Sequence, residues 1–110
     1  MNRISILDCT LRDGGYCNQW RFGFRQTQRI ITGLVQSGVD IIECGFLTNR
    51  VEYNADITKF TAIEQVQAVI PSDREGKLYV VMVNYGEYRA EDIPVYNGMS
   101  VDGIRVAFHK

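Results

Sequence analysis

The chain has 110 residues, of which 45% are hydrophobic and 23% charged, and a formal net charge of −1 with a sequence pI of about 5.8. That length suits one compact domain over 1–110, and the lack of basic excess argues against nucleic acid or an anionic membrane surface as partner. The opening Met1-Asn2-Arg3-Ile4 is not a signal peptide, and no stretch approaches the roughly 20 apolar residues of a membrane span.

The first predicted element is a buried strand over 4–9, followed by a Gly-rich turn at Asp13-Gly14-Gly15. A helix is predicted over 26–37, with Ile30, Ile31, Leu34 and Val35 on one apolar face and Gly38 as its C′ residue. A second strand follows at 39–46. The polar segment 47–59 has no periodicity and reads as loop. Thr61 as N-cap and Glu64 at N3 form a capping-box pattern, opening a helix that stops before Pro71 with Ile63, Val66 and Ile70 towards the core. A third strand is expected at 78–85 and a fourth at 104–108. The crossover between them, holding Pro94 and Asn97-Gly98, has room only for a short helix.

Continuous apolar strands alternating with helices indicate an α/β fold with a parallel sheet and helical crossovers. An open doubly wound sheet and part of a (β/α)8 barrel both fit, and a complete barrel needs about 250 residues. In both folds ligands gather at the strand C-termini, which here carry Asp8, Arg12, Asp13, Glu43, Arg105 and His109. Alternation groups Asp8 with Ile6 and Thr10, Glu43 with Ile41 and Gly45, and Arg105 with Ala107 and His109. If these faces line one interior, Asp8, Glu43 and Arg105 should form a paired charge cluster, because buried charges need partners.

The run Asp8-Cys9-Thr10-Leu11-Arg12-Asp13-Gly14 resembles the D-x-T-L-R-D-G signature of the DRE-TIM metallolyase superfamily, the HMGL-like group. Gly38 to Phe46 is similar to that family's second strand, G-V-D-x-I-E-x-G-F, and Gly103 to His109 to the fourth strand of its aldolase branch. The resemblance implies the first four strands of a (β/α)8 TIM barrel, a partial barrel without the second half of the site. It implies a fragment of a pyruvate aldolase that cleaves a 4-hydroxy-2-oxo acid to pyruvate and an aldehyde, inactive by itself.

The resemblance also implies roles. Arg12 would contact the substrate's 2-keto oxygen, a placement suited to a developing enolate. Asp13 would be a ligand of Mn²⁺ or Mg²⁺, and Glu43 would orient a metal-bound water or Arg12. Arg105 and His109 would face the 2-keto acid substrate. Two departures stand out. Tyr16 occupies the neighbourhood of the family's His base, and a Tyr with an ordinary pKa of about 10 is a poor base unless nearby charge lowers it. The family's H-x-H metal ligands lie on a seventh strand, so metal is expected to bind this chain weakly or not at all.

Other readings keep a place. The Tyr16 replacement could mark a non-catalytic keto-acid or sugar-acid binding relative, or a scaffold. A Claisen-type synthase using an acyl-CoA belongs to the same superfamily, and a small flavodoxin-like domain would make the motif accidental. Trp20, Phe22 and Phe24 read as packing of the loop onto the first helix, with a lid as the alternative. Cys9, Cys17 and Cys44 lack CxxC spacing and read as reduced, buried thiols of a cytoplasmic protein. Open strand edges and an exposed apolar sheet face would favour self-association.

Overall fold

The computed structural model describes residues 4–108. Five strands, β1 (Leu7–Asp8), β2 (Ile41–Leu47), β3 (Lys59–Phe60), β4 (Leu78–Asn84) and β5 (Gly103–Ala107), form one sheet in the order β1-β2-β4-β5, with β3 joined to β2 off that path. Every pairing is parallel. Three α-helices, α1 (Thr10–Asp13), α2 (Phe24–Gln36) and α3 (Ile63–Gln67), connect the strands. The expected α/β architecture with a parallel sheet is therefore present.

The core lies between the helices and one sheet face. Ile31 and Val35 of α2 and Ile63 and Val66 of α3 are buried with Ile42, Cys44, Tyr79, Val81 and Val83 from the strands. Each fully buried branched aliphatic contributes about 1.5–3 kcal/mol. The other face carries Glu43, in register with Val80, and Arg105, in register with Met82.

Helix α2 starts two residues before its predicted boundary. Its first turn is capped from a distance, because Asp56 Oδ1 accepts the Phe24 backbone N–H at 3.0 Å. It closes as expected at Gly38, whose φ of 90° allows a Schellman turn with Val39 N–H donating to Leu34 O and Gly38 N–H to Val35 O. The α3 boundary is shifted by one residue from the expected capping box. Ala62 is the N-cap, and Gln65, not Glu64, folds back so that its Oε1 accepts the backbone N–H groups of Thr61 and Ala62. Past Gln67 the chain tightens into i→i−3 bonds as far as Ile70, which fits the arrest expected at Pro71.

Three expectations need correction. The strand at 4–9 shrinks to the two paired residues of β1, and Ile4 and Ile6 are exposed, because β1 is an edge with only β2 beside it. The Gly-rich turn is helical: α1 runs straight into a 3₁₀ turn over Gly14–Cys17. The segment 47–59 is not all loop, since its end becomes β3. That strand runs against β2 where Phe46 N–H donates to Thr58 O and Thr48 N–H to Phe60 O.

Gly45 makes this approach possible. Its φ is 151°, and a Cβ there would overlap the Thr58 carbonyl oxygen. The crossover from β4 to β5 holds only a 3₁₀ turn, Ala90–Asp92, as its length suggested. Val106 is left half exposed, and Tyr85 and Phe108 are exposed with their rings 5.4 Å apart.

At the opposite end of the sheet, Asp102 joins β4 to β5. Its carboxylate accepts from Tyr79 N–H and Arg74 Nη2, at 2.9 and 2.7 Å, and from the Tyr96 hydroxyl. Burial raises the Asp102 pKa, but these donors outweigh it and hold the carboxyl below its ordinary value. A depressed folded pKa adds stability that is present above the unfolded pKa and lost as pH falls through the folded one.

Two outcomes follow for urea unfolding. Gly45→Ala should cost ~2–4 kcal/mol, and an unchanged midpoint would contradict the close approach. Asp102→Asn should cost ~1–3 kcal/mol at neutral pH, with the gap to the parent closing below about pH 4. A gap that is constant with pH would argue against the ionised role.

Candidate functional site

The motif helix α1 begins at the C-terminal end of β1. Cys9 O accepts the backbone N–H groups of Arg12 and Asp13, which winds one tight turn and carries both side chains to the rim of the sheet. A helix of one turn leaves its carbonyls without intrahelical partners. Thr58 and Trp20 meet that need: the Thr58 hydroxyl donates to Leu11 O at 2.7 Å, and Trp20 Nε1–H donates to Arg12 O at 2.6 Å. Gly15 lies under the Trp20 indole, and any Cβ there would overlap the ring.

Glu43 is the centre of the cluster. Its side chain is 0% exposed. Arg12 Nε–H donates to its Oε1 at 2.6 Å, and Arg105 Nη1–H donates to its Oε2 at 3.0 Å. Arg12 also reaches Asp13 Oδ1 through Nη1 at 3.2 Å, so the two motif side chains project together. Burial lowers the Arg12 pKa, but the hydrogen bond and charge of Glu43, with smaller help from Cys9 and Asp13, outweigh it and raise the value. The guanidinium is thus a permanent cation with one edge spent on Glu43.

The expected cluster of Asp8, Glu43 and Arg105 is two-thirds present. Asp8 is in register with Ile42, not with Glu43, so alternation turns it to the other face. Its carboxylate instead caps the start of α1, accepting from Thr10 N–H and the Thr10 hydroxyl at 2.9 and 3.0 Å. Arg12 takes the place foreseen for Asp8. His109 lies outside the described residues.

Tyr16 is 68% exposed and packs edge-on to Trp20 at 4.7 Å. Trp20 in turn meets Phe46 at 5.7 Å, so its packing is against the end of β2 as well as the motif. Lys59 was read as loop, yet its Nζ stands 3.9 Å from the Trp20 ring centroid. No local signal in the sequence joins residue 59 to residue 20, because the contact depends on β3 forming.

Asp13 is the motif's candidate metal ligand, with its side chain 64% exposed. Among the described residues no group of three or more His, Cys, Asp or Glu side chains could hold a metal ion. The described donors by themselves therefore do not complete a metal site. All three cysteines are unpaired, but only Cys44 is buried; Cys9 is half-buried and Cys17 exposed. Among the described residues no helix is long and apolar enough to cross a membrane.

A parallel α/β sheet with a charged cluster at its C-terminal rim is the class of structure in hand, and it is consistent with part of a barrel. Known proteins narrow this. The chain is similar to 4-hydroxy-2-oxovalerate aldolase 6 of Rhodococcus jostii, at 26% identity over 96% of this chain and 30% of the relative. It is similar to 4-hydroxy-2-oxovalerate aldolase of Shewanella pealeana, at 27% over 97% and 32%. It is also similar to 4-hydroxy-2-oxovalerate aldolase 2 of Azoarcus sp., at 30% over 97% and 32%. The chain spans about a third of the length of the curated relatives it matches. No family model and no solved structure matches it.

Removing Glu43 would leave the Arg12 and Arg105 guanidinium groups without their shared carboxylate. Glu43→Ala should lower stability by ~3–5 kcal/mol, measured by urea unfolding, and a loss below ~1 kcal/mol would show the cluster to be solvated. Burial first, and Glu43's charge second, push the Cys44 thiol up from 9.0 to about 12. A raised folded pKa adds stability that is present below the unfolded value and lost on rising through the folded one. Stability should therefore fall between about pH 9 and 12. Iodoacetamide at pH 8 should label Cys17 quickly and Cys44 only on unfolding; equal labelling would contradict the burial.

Proposed function

We propose that the whole protein is a divalent-metal-dependent pyruvate aldolase, and that this chain supplies the first strands of its (β/α)8 barrel as one domain over 1–110. The observation that carries this reading is the placement of Arg12: a cation locked by Glu43, beside Asp13, at the C-terminal rim of a parallel sheet. The similarity to 4-hydroxy-2-oxovalerate aldolases supports it, and the substrate class we assign is a 4-hydroxy-2-oxo acid.

In aldol cleavage the C4 hydroxyl loses its proton, the C3–C4 bond breaks to release the aldehyde, and that electron pair moves into an enolate of pyruvate. Protonation at C3 completes the reaction. The negative charge that develops on the 2-keto oxygen is what a fixed guanidinium stabilises, and a donor that is already in place need not reorganise as charge appears. With Nε held by Glu43 and Nη1 reaching Asp13, Arg12 would offer Nη2 to the substrate. Arg105 shares Glu43 and would hold the acid's carboxylate, together with His109. Tyr16, three residues after Asp13 and edge-on to Trp20, would exchange the hydroxyl proton. A Mn²⁺ or Mg²⁺ ion would take Asp13 as one ligand, would need further ligands from beyond the described residues, and when bound would polarise the keto acid's oxygens.

The exposed Tyr16 favours one second reading. Its hydroxyl has no hydrogen-bond partner among the described residues, whereas a general base is normally oriented by one. A keto-acid binding relative without turnover would tolerate that. The free cysteines support a cytoplasmic location. The half-exposed apolar edge of β5 supports association of this chain with itself or with the rest of a barrel.

Pyruvate release from 4-hydroxy-2-oxovalerate, measured with Mn²⁺ on the intact protein, tests the proposal. Arg12→Lys keeps the charge and loses the planar fork, and should lower kcat by about 10²-fold or more. Pyruvate release that survives Arg12→Lys would refute the role of Arg12. Saturable pyruvate binding with no cleavage would favour the binding relative.

A further inference from the structure

A cavity of about 250 Å³ opens at the same rim. Phe46 borders both the cavity and Arg12: its ring lines the cavity, and the Arg12 guanidinium carbon is 6.0 Å from the ring centroid. Trp20 and Tyr16 add aromatic wall, while Arg50 and Lys59 bring two cations. Neither cation forms an ion pair with a described residue. Lys59 is half-buried and rests over the Trp20 face, an arrangement that orders a long side chain whose free rotamers are costly to give up. Glu87 is the acidic side chain in the lining, and its carboxylate is engaged by the Thr48 hydroxyl at 2.9 Å.

We propose that this cavity binds a second anionic group of the substrate, a carboxylate or phosphate at the far end of the aldehyde half, with Lys59 and Arg50 as its partners. The substrate class then narrows from any 4-hydroxy-2-oxo acid to one whose released aldehyde is itself acidic. The Trp20 and Phe46 rings lower the local dielectric on one side and strengthen the charge pairing. The step from anion site to substrate specificity rests on the aldolase reading; the anion site itself does not.

Trp20 lines the cavity, so the part of the emission that is lost in Trp20→Phe reports on the cavity without turnover. The intact protein would be titrated at low salt with succinate, with glycerol 3-phosphate, and with succinamide as the neutral isostere. One of the two anions should change Trp20 emission saturably, and the tighter one identifies the group. Succinamide should bind at least about tenfold more weakly. Lys59→Met and Arg50→Met, the latter at an exposed position, should each weaken the anion by about tenfold.

Equal affinity for succinamide, no response to either anion, or an unchanged affinity in both methionine variants would overturn the proposal. Pyruvate release that fails while the anion titration succeeds would sink the aldolase reading alone. The converse would sink this inference alone.

Discussion

A carboxylate with no exposure at the middle of a sheet face is unstable unless its charge is matched, and Glu43 is matched from two directions. Arg12 approaches from the helix that follows β1, and Arg105 from β5 across the sheet. Taking a charge out of water costs several kcal/mol per ion, an amount recovered only with good geometry. The geometry here joins both edges of the sheet to its centre. The same demand leaves Arg12 little freedom: to satisfy Glu43 it must sit at the strand rim with its Nε edge turned inward. Structural need and the proposed chemical use thus fall on one guanidinium.

A second constraint keeps the motif in place. The single turn of α1 cannot satisfy its own carbonyls, and the chain returns from residues 20 and 58 to do so. That return is allowed by two glycines for two different reasons. Gly45 accepts a φ of 151° and admits the Thr58 carbonyl, and Gly15, at an ordinary backbone angle, admits the face of Trp20. Neither glycine serves the tight turn suggested by the pair Gly14-Gly15. The rim beside Phe46, with Lys59 over Trp20, is a by-product of this same closure.

The parallel sheet and its helices were legible in the sequence because their signal is local periodicity. Ile31 and Val35 bury as the 3.6-residue repeat requires, and Gly38 ends α2 as a C′ glycine does. The pairing of Glu43 with Arg105 was legible from alternation once a shared face was assumed. Asp8 escaped that logic. Its facing depends on the register of β1 against β2, which a two-residue edge strand does not announce. Thr58, Asp56 and Lys59 were illegible for a related reason: each acts on a residue more than 30 positions away, through a strand too short to show a period. The capping of α3 was misplaced by one residue because Glu64 and Gln65 are chemically similar candidates for N3, and only the backbone angle at Ala62 decides between them.

The whole rim depends on Arg12 being held by Glu43, and the Arg12 Nε–H resonance reports that contact directly. In ¹⁵N-resolved NMR spectra of the arginine side chains, the account predicts one Nε–H shifted downfield and slow to exchange with water. That signal should collapse to the position of a free arginine in Glu43→Gln. A set of arginine Nε–H signals that all exchange at solvent rates in the parent protein would contradict it.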